Sequence, residues 1–128
     1  ISGVQPQSEI KALAFDTRSN HLWIGYDGYG LFLLEAGEIA PVTAFQDKGI
    51  LNVQSLLVEP DGTLWVGTLY NGVIRYAEKK LSAYSHKEGL SSDHVQAIFI
   101  DRDKSVWIGT AYGGVNRLRP GRILSYGE

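Results

Sequence analysis

The tripeptides Trp23-Ile24-Gly25, Trp65-Val66-Gly67 and Trp107-Ile108-Gly109 repeat one phrase, with successive tryptophans 42 residues apart. The register persists around them. A glycine follows each tryptophan by seven residues (Gly30, Gly72, Gly114), an aliphatic residue comes next (Leu31, Val73, Val115), and an apolar residue precedes the tryptophan (Leu22, Leu64, Val106). The chain is therefore three copies of one supersecondary unit, and periods of about 40–50 residues belong to propeller blades or helical arrays.

The second unit decides between the two. It runs Val53–Glu59, the turn Pro60-Asp61-Gly62-Thr63, Leu64–Thr68, a glycine-containing corner, Val73–Tyr76, a charged turn at Glu78-Lys79-Lys80, and Leu81–Tyr84. These runs are short, rich in β-branched and aromatic residues and bounded by turn formers, whereas an amphipathic helix needs an uninterrupted window of about ten or more residues. Pro-Asp-Gly between apolar runs is a tight hairpin, because proline presets φ and glycine accepts a positive one. The third unit repeats the layout at Val95–Asp101, Val106–Thr110, Val115–Leu118 and Ile123–Tyr126. The first is expected to place strands at Ile10–Asp16, Leu22–Tyr26, Leu31–Leu34 and Val42–Phe45, with one extra residue in its first turn. Four-stranded antiparallel units at this period are propeller blades. The expected fold is all-β, a partial β-propeller of three four-stranded antiparallel blades: residues 1–128 form a single propeller fragment, with blade 1 at 10–48, blade 2 at 49–88 and blade 3 at 89–128.

The stretch from Gly89 to Arg117, Gly-Leu-Ser-Ser-x-x-Val-x-Ala-Ile-x-x-Asp followed by Val-Trp-Ile-Gly-Thr-x-x-Gly-Gly-Val-x-Arg, resembles the two-component regulator propeller repeat. The resemblance extends through all three units and is strongest in the third. Unit two keeps Val53, Leu56 and Leu-Trp-Val-Gly-Thr but shortens the preceding loop to Gly49-Ile50-Leu51-Asn52; unit one departs most, with Tyr26 in place of Thr68 and Thr110. WD40 repeats place Asp after the tryptophan, where this chain has Ile or Val, and the paired glycines of kelch repeats do not open a strand here.

Composition narrows the functional classes. A formal charge of −2, with lysines and arginines scattered, leaves no basic footprint for nucleic acid. There is no cysteine, which removes disulfides, thiol catalysis and thiolate metal sites. No aliphatic-aromatic run exceeds four residues, as in Leu31-Phe32-Leu33-Leu34, far below membrane-spanning length. The chain starts at Ile1, contains no methionine and shows no signal-peptide pattern, and is read as a piece of a longer polypeptide.

Trp23, Trp65 and Trp107 are expected to fill the gaps between blades, with Gly25, Gly67 and Gly109 allowing close approach and Gly30, Gly72 and Gly114 meeting backbone requirements at strand entry. Gly28-Tyr29-Gly30 begins like a dinucleotide fingerprint but no helix pattern follows it. In a four-stranded blade the loop between strands two and three emerges on the same face as the connection to the next blade. That face gathers Asp27, Tyr29, Tyr70, Asn71, Tyr112, His86, Asp93 and His94, an aromatic and polar set suited to a saccharide or other small polar ligand through stacking and directional hydrogen bonds. A merely solvated loop face is the competing reading, since turn residues are polar for conformational reasons. No catalytic residues are assigned. The carboxylates near this face (Asp27, Asp47, Glu88, Asp93) sit in different loops with no visible pairing of the kind a glycosidase needs. His86 and His94, eight residues apart around Asp93, are too weak a pattern for zinc, so no metal and no cofactor is expected.

The resemblance implies an extracytoplasmic, periplasmic sensor region of a bacterial hybrid histidine kinase or membrane-bound diguanylate cyclase, in some members sensing an oligosaccharide and passing the signal to a downstream output domain. A protein-interaction scaffold is the second reading and a propeller lyase the third. Three blades are fewer than the four to eight that close a ring. Both end blades are therefore expected to present apolar flanks that associate with a second copy or with further blades of a parent chain.

Overall fold

The computed structural model describes residues 6–119 and 122–126. Within them the chain forms three four-stranded antiparallel meanders. Blade 1 holds β1 (Ile10–Asp16), β2 (His21–Tyr26), β3 (Gly30–Glu35) and β4 (Glu38–Pro41); blade 2 holds β5 (Val53–Val58), β6 (Leu64–Thr68), β7 (Val73–Ala77) and β8 (Lys80–Tyr84). Blade 3 holds β9 (Val95–Ile100), β10 (Val106–Thr110), β11 (Val115–Arg119) and β12 (Arg122–Tyr126). In every sheet the strands neighbour one another in chain order, and β5 packs against both β1 and β9, so the first strands form the inner edge of an open, propeller-like array.

The fourth strand of blade 1 is not where the sequence places it. Instead of Val42–Phe45 it is Glu38–Pro41, and Thr43–Asp47 form a short helix, α1. Ala36 and Gly37 take φ values of 53° and 80°, a two-residue turn that pairs Glu35 with Glu38 and starts the return strand at once. Val42, Thr43 and Phe45 have strand-like composition, but tertiary packing decides: Phe45 is fully buried, its ring 5.4 Å from that of Tyr76.

Alternation along the second strand of each blade supplies both inter-blade surfaces. Trp23 sits in a buried cluster with Phe45, Leu64, Val66 and Ile74, between blades 1 and 2. Trp65 does the same between blades 2 and 3, with Leu90, Val95, Val106 and Ile108. Two residues on, the glycine is a notch for the next blade. A Cβ on Gly25 would collide with the Val53 side chain, and one on Gly67 would lie 2.7 Å from Val95 Cγ1. The equivalent notch at Gly109 is open, its nearest neighbour being Ala97 Cβ of its own blade at 3.8 Å. Trp107, expected to be largely buried, is only half-buried, because no following blade covers it here; Tyr126 (5.7 Å between ring centroids) and the Arg117 guanidinium (5.0 Å) flank the indole.

The indole N–H groups are fixed from the preceding turn. Trp65 Nε1 donates to Glu59 Oε2 at 2.7 Å, and Trp107 Nε1 to Asp101 Oδ2 at 2.9 Å. That donor comes first among the causes holding the Asp101 carboxyl below the usual range, with the Ser105 and Asp103 amides adding to it against the opposing effect of burial. Blade 1 breaks the pattern. Between its paired residues Phe15 and Leu22 lie six residues, where Val58–Leu64 and Ile100–Val106 enclose five, and Asp16 instead accepts from the Arg18 amide (3.0 Å) and the Ser19 hydroxyl (2.9 Å). Burial pushes the Asp16 carboxyl up, but these bonds outweigh it and hold it low. Trp23 Nε1 is left buried with no partner among the described residues.

The two ends of the array differ from the inner joints. Ile10, Leu13 and Phe15 stand where Val95, Ile98 and Ile100 dock blade 3 on blade 2, and they are 48–58% exposed. At the other end Phe99, Val115 and Tyr126, the counterparts of Leu57, Val73 and Tyr84, are 42–64% exposed. The rest of the outer face of blade 1 is closed, with Ile24, Tyr26, Phe32 and Ile39 buried together.

Trp65→Ala is expected to cost about 3–5 kcal/mol through lost burial and the cavity left behind. Trp107→Ala, at the half-buried equivalent, is expected to cost clearly less. Chemical denaturation of the two variants checks this, and equal losses would show that the inter-blade gap is not what the ring stabilises.

Candidate functional site

The loops after β2, β6 and β10 and the inter-blade connections share one face, and backbone hydrogen bonds fasten them together. Leu51 O accepts from Gly30 N (2.8 Å), Asn52 O from Leu69 N (2.9 Å), Asp93 O from Gly72 N (2.9 Å) and His94 O from Ala111 N (2.9 Å). Each connection is thus held by the blade it leaves and the blade it enters. An isolated bridge between Asp27 and Asn52 adds to the first of these joints.

The corners themselves are internally braced. Thr68 Oγ1 donates to Gly72 O (2.7 Å) and accepts from Asn71 N (2.8 Å); Thr110 Oγ1 repeats this with Gly114 O and Gly113 N, both at 2.9 Å. Gly30, Gly72 and Gly114 have φ of 89°, 73° and 76°, which is the backbone requirement read from the sequence. Tyr26, in place of threonine, cannot make this brace. Its ring packs edge-on against Phe32 at 5.1 Å, its buried hydroxyl finds no partner among the described residues, and burial pushes the phenol up.

On this scaffold the tyrosines project outward. Tyr29, Tyr70 and Tyr112 are 48%, 68% and 81% exposed. The Tyr112 ring lies 5.7 Å from that of His94, edge to face, whereas Tyr70 has no ring or side-chain hydrogen-bond partner among the described residues. His86 Nδ1 is 2.6 Å from Asp93 Oδ2, and the His86 amide donates to Asp93 Oδ1 at 2.7 Å. His86 and His94 therefore turn to different partners, and no group of three potential metal ligands is assembled among the described residues. Asp27 and Asn71 are half-buried corner residues, whose Asp27 carbonyl and Asn71 amide are engaged by Ser8 Oγ (2.7 Å) and Thr68 Oγ1 (2.8 Å), respectively.

The clamp that shapes the connection between blades 2 and 3 was not among the candidates. Asn116, fully buried on β11, accepts from Ser91 N (3.2 Å) and Ser125 Oγ (2.8 Å) through Oδ1 and donates to Ser91 Oγ (2.8 Å) through Nδ2. Ser91 Oγ in turn donates to Gly113 O at 2.8 Å, tying the connection to the Tyr112 corner. Upstream, Glu88 Oε1 accepts from Ser85 N (2.7 Å), closing a capping box around the 3-10 turn His86–Glu88. A signal for the clamp did exist: the ladder position of Asn116 is Ile74 one period earlier and Phe32 two periods earlier, both buried, so a buried amide replaces two hydrophobes.

Comparison with known proteins agrees with this architecture. Residues 89–112 match the family model described as "Two component regulator propeller", so blade 3 carries that repeat. A comparison with curated proteins finds no sequence match. Among solved structures, the extracellular domain of a protein described as a hybrid two component system of B. thetaiotaomicron superposes with a TM-score of 0.75 at 20% identity, covering 91% of this chain and 16% of that one. A second extracellular domain of that description, from the same organism, gives 0.65 at 18% identity, covering 92% and 18%. Virginiamycin B lyase from Staphylococcus aureus gives 0.69 at 17% identity, covering 93% and 41%. The chain is a propeller fragment related in fold to extracellular domains of hybrid two-component systems, and it spans about a sixth of the length of the first of these. Among the described residues no helix is long and apolar enough to cross a membrane.

Asn116→Ala is expected to lower stability by about 2–3 kcal/mol, since Ser91 loses two partners inside a part-buried network. Hydrogen exchange of the residue 89–94 amides should rise more than that of β6; uniform acceleration would show that the amide supports the whole blade rather than the connection.

Proposed function

We propose that this chain is part of an extracytoplasmic, periplasmic sensory propeller, non-catalytic in itself, whose loop face receives a polar ring-bearing ligand such as an oligosaccharide and whose parent protein passes the signal to an output domain. The observation that carries the ligand reading is the combination of outward-facing Tyr29, Tyr70 and Tyr112 with loops locked by backbone and side-chain hydrogen bonds. Exposed aromatic rings on a rigid backbone offer stacking surface at low ordering cost, and His86, Asp93, His94, Asp27 and Asn71 supply polar groups around them. The likeness to extracellular two-component domains supports the sensory and extracytoplasmic part of the reading.

The test is a calorimetric screen of oligosaccharides against the chain and its Tyr70→Ala/Tyr112→Ala variant. Binding is expected to weaken by at least about tenfold in the variant, with the thermal midpoint almost unchanged, since both rings are mainly in solvent. Parallel loss of binding and stability would make the tyrosines packing residues and sink the reading.

A second reading, an interaction scaffold, is favoured by the open flanks. Ile10, Leu13 and Phe15 at one end and Phe99, Val115 and Tyr126 at the other correspond to the two sides of a joint formed twice within the chain. They would dock further blades of a parent chain or a second copy, two copies giving a six-bladed ring as the simplest closed arrangement. Light scattering at micromolar concentration is expected to show self-association of the isolated chain; a monomer with both flanks in solvent would overturn this reading.

A further inference from the structure

We propose that the groove between blades 2 and 3, on the outer side of their joint, is a separate binding site for a small cyclic organic anion bearing carboxylate or phosphate groups. The groove encloses about 490 Å³, within the range of small-ligand pockets. Four cationic side chains line it: Arg75 on β7, Lys104 in the β9–β10 turn, Arg119 at the end of β11 and Arg122 at the start of β12.

Among the described residues none of the four has a carboxylate within ion-pair distance. The ion pairs formed among the described residues are Lys11–Glu9, His21–Glu35 and His86–Asp93. The two carboxylates that face the groove are fixed in place, Glu59 by the Trp65 indole and Glu88 by the Ser85 amide, each at 2.7 Å; they keep their charge, so the lining sets four cations against two anions. Arg119 Nε donates to Ser105 Oγ at 3.1 Å, which orients the guanidinium and leaves its charge intact. Lys104 acts on Asp61 only as a minor contributor, behind the Thr63 hydrogen bonds that chiefly lower that carboxyl. Between the cations, Tyr84, Val106, Leu118 and Ile123 give an apolar wall against which a ring can lie.

The repeat provides an internal control. One period earlier the four cationic positions are Leu33, Gly62, Ala77 and Lys80, so the joint between blades 1 and 2 forms with a single cation where this one has four. The groove beside that joint has the opposite character, lined by Asp16, Glu35, Glu38 and Glu78 against Arg18, His21 and Lys79. Blade packing therefore does not require Arg75, Lys104, Arg119 and Arg122. Clustered guanidinium groups suit planar, multidentate recognition of carboxylate or phosphate.

Calorimetry on the whole chain tests the site with phenyl phosphate and phthalate as probes, benzyl alcohol as the uncharged ring and inorganic phosphate as the ringless anion. One or both ring-bearing anions are expected to bind at a single site, at least about tenfold more tightly than either control, and more weakly at raised salt. Which of the two binds tells phosphate from carboxylate. Arg75→Gln/Arg119→Gln and, independently, the exposed pair Lys104→Gln/Arg122→Gln are each expected to weaken binding at least about tenfold, while Lys79→Gln and Tyr70→Ala/Tyr112→Ala leave it unchanged. No binding of either probe at millimolar concentration, binding that survives both charge-removing double variants, or inorganic phosphate binding as tightly as phenyl phosphate would each overturn the proposal.

Discussion

The joint between blades is the constraint on which the molecule depends. A four-stranded meander has two faces and cannot bury either by itself; at each of the two joints the second strand of one blade carries a tryptophan and a glycine toward the next, whose own second strand turns an aliphatic residue back. Trp65 and Gly67 meet blade 3, while Val66 lies in the cluster shared with blade 1. Three consecutive residues thus specify both neighbours. The phrase recurs because strand alternation puts ring and notch, two residues apart, on one side.

One inserted residue shows how tightly the joint is specified. Six residues separate Glu59 from Trp65 and Asp101 from Trp107, and in both the carboxylate reaches the indole. Seven separate Asp16 from Trp23, and the carboxylate closes on its own turn instead. Blade 1 also lacks the corner threonine, and the two buried aromatic polar atoms without partners among the described residues, Trp23 Nε1 and Tyr26 Oη, both belong to it. An unmade bond of this kind typically costs about 1–3 kcal/mol, so at these two positions the first blade gives up hydrogen bonds that the other two make, while keeping the apolar burial that makes the joint.

What the sequence revealed follows the same division. Strands facing the joints were legible because ring, notch and alternation are periodic, and the shared loop face was legible from strand order alone. The fourth strand of blade 1 was not, since Ala36-Gly37 is a two-residue turn with no proline or asparagine to announce it, and Val42 to Phe45 have strand composition in a segment that turns into α1. At the candidate face, the projection of Tyr70 and Tyr112 was readable from their place in the corners. The pairing of His86 with Asp93 and of His94 with Tyr112 was not, because it depends on the path of a connection shaped by Ser91 and Asn116 across 25 residues of sequence.

In a chain whose packing is periodic, chemistry peculiar to one place has to appear as a break in the period. Positions at the joints are held to a size and polarity by the neighbouring blade: a bulkier residue at Gly67 meets Val95, and at that site the repeat cannot drift. Side chains that reach solvent at the corners and along the outer grooves carry no such restriction, although the corner glycines do, a Cβ on Gly113 lying 2.7 Å from Ser91 Cβ. Leu33 against Arg75 is a break of this kind, and Ile74 against Asn116 is one inside the packing itself, each at the same backbone position as its counterpart. The change to Asn116 turns a hydrophobic ladder site into the clamp of a loop, and the change to Arg75 turns an apolar groove position into a charged one. Neither alters the strand that carries it, which is how one blade design can host different surfaces in successive copies.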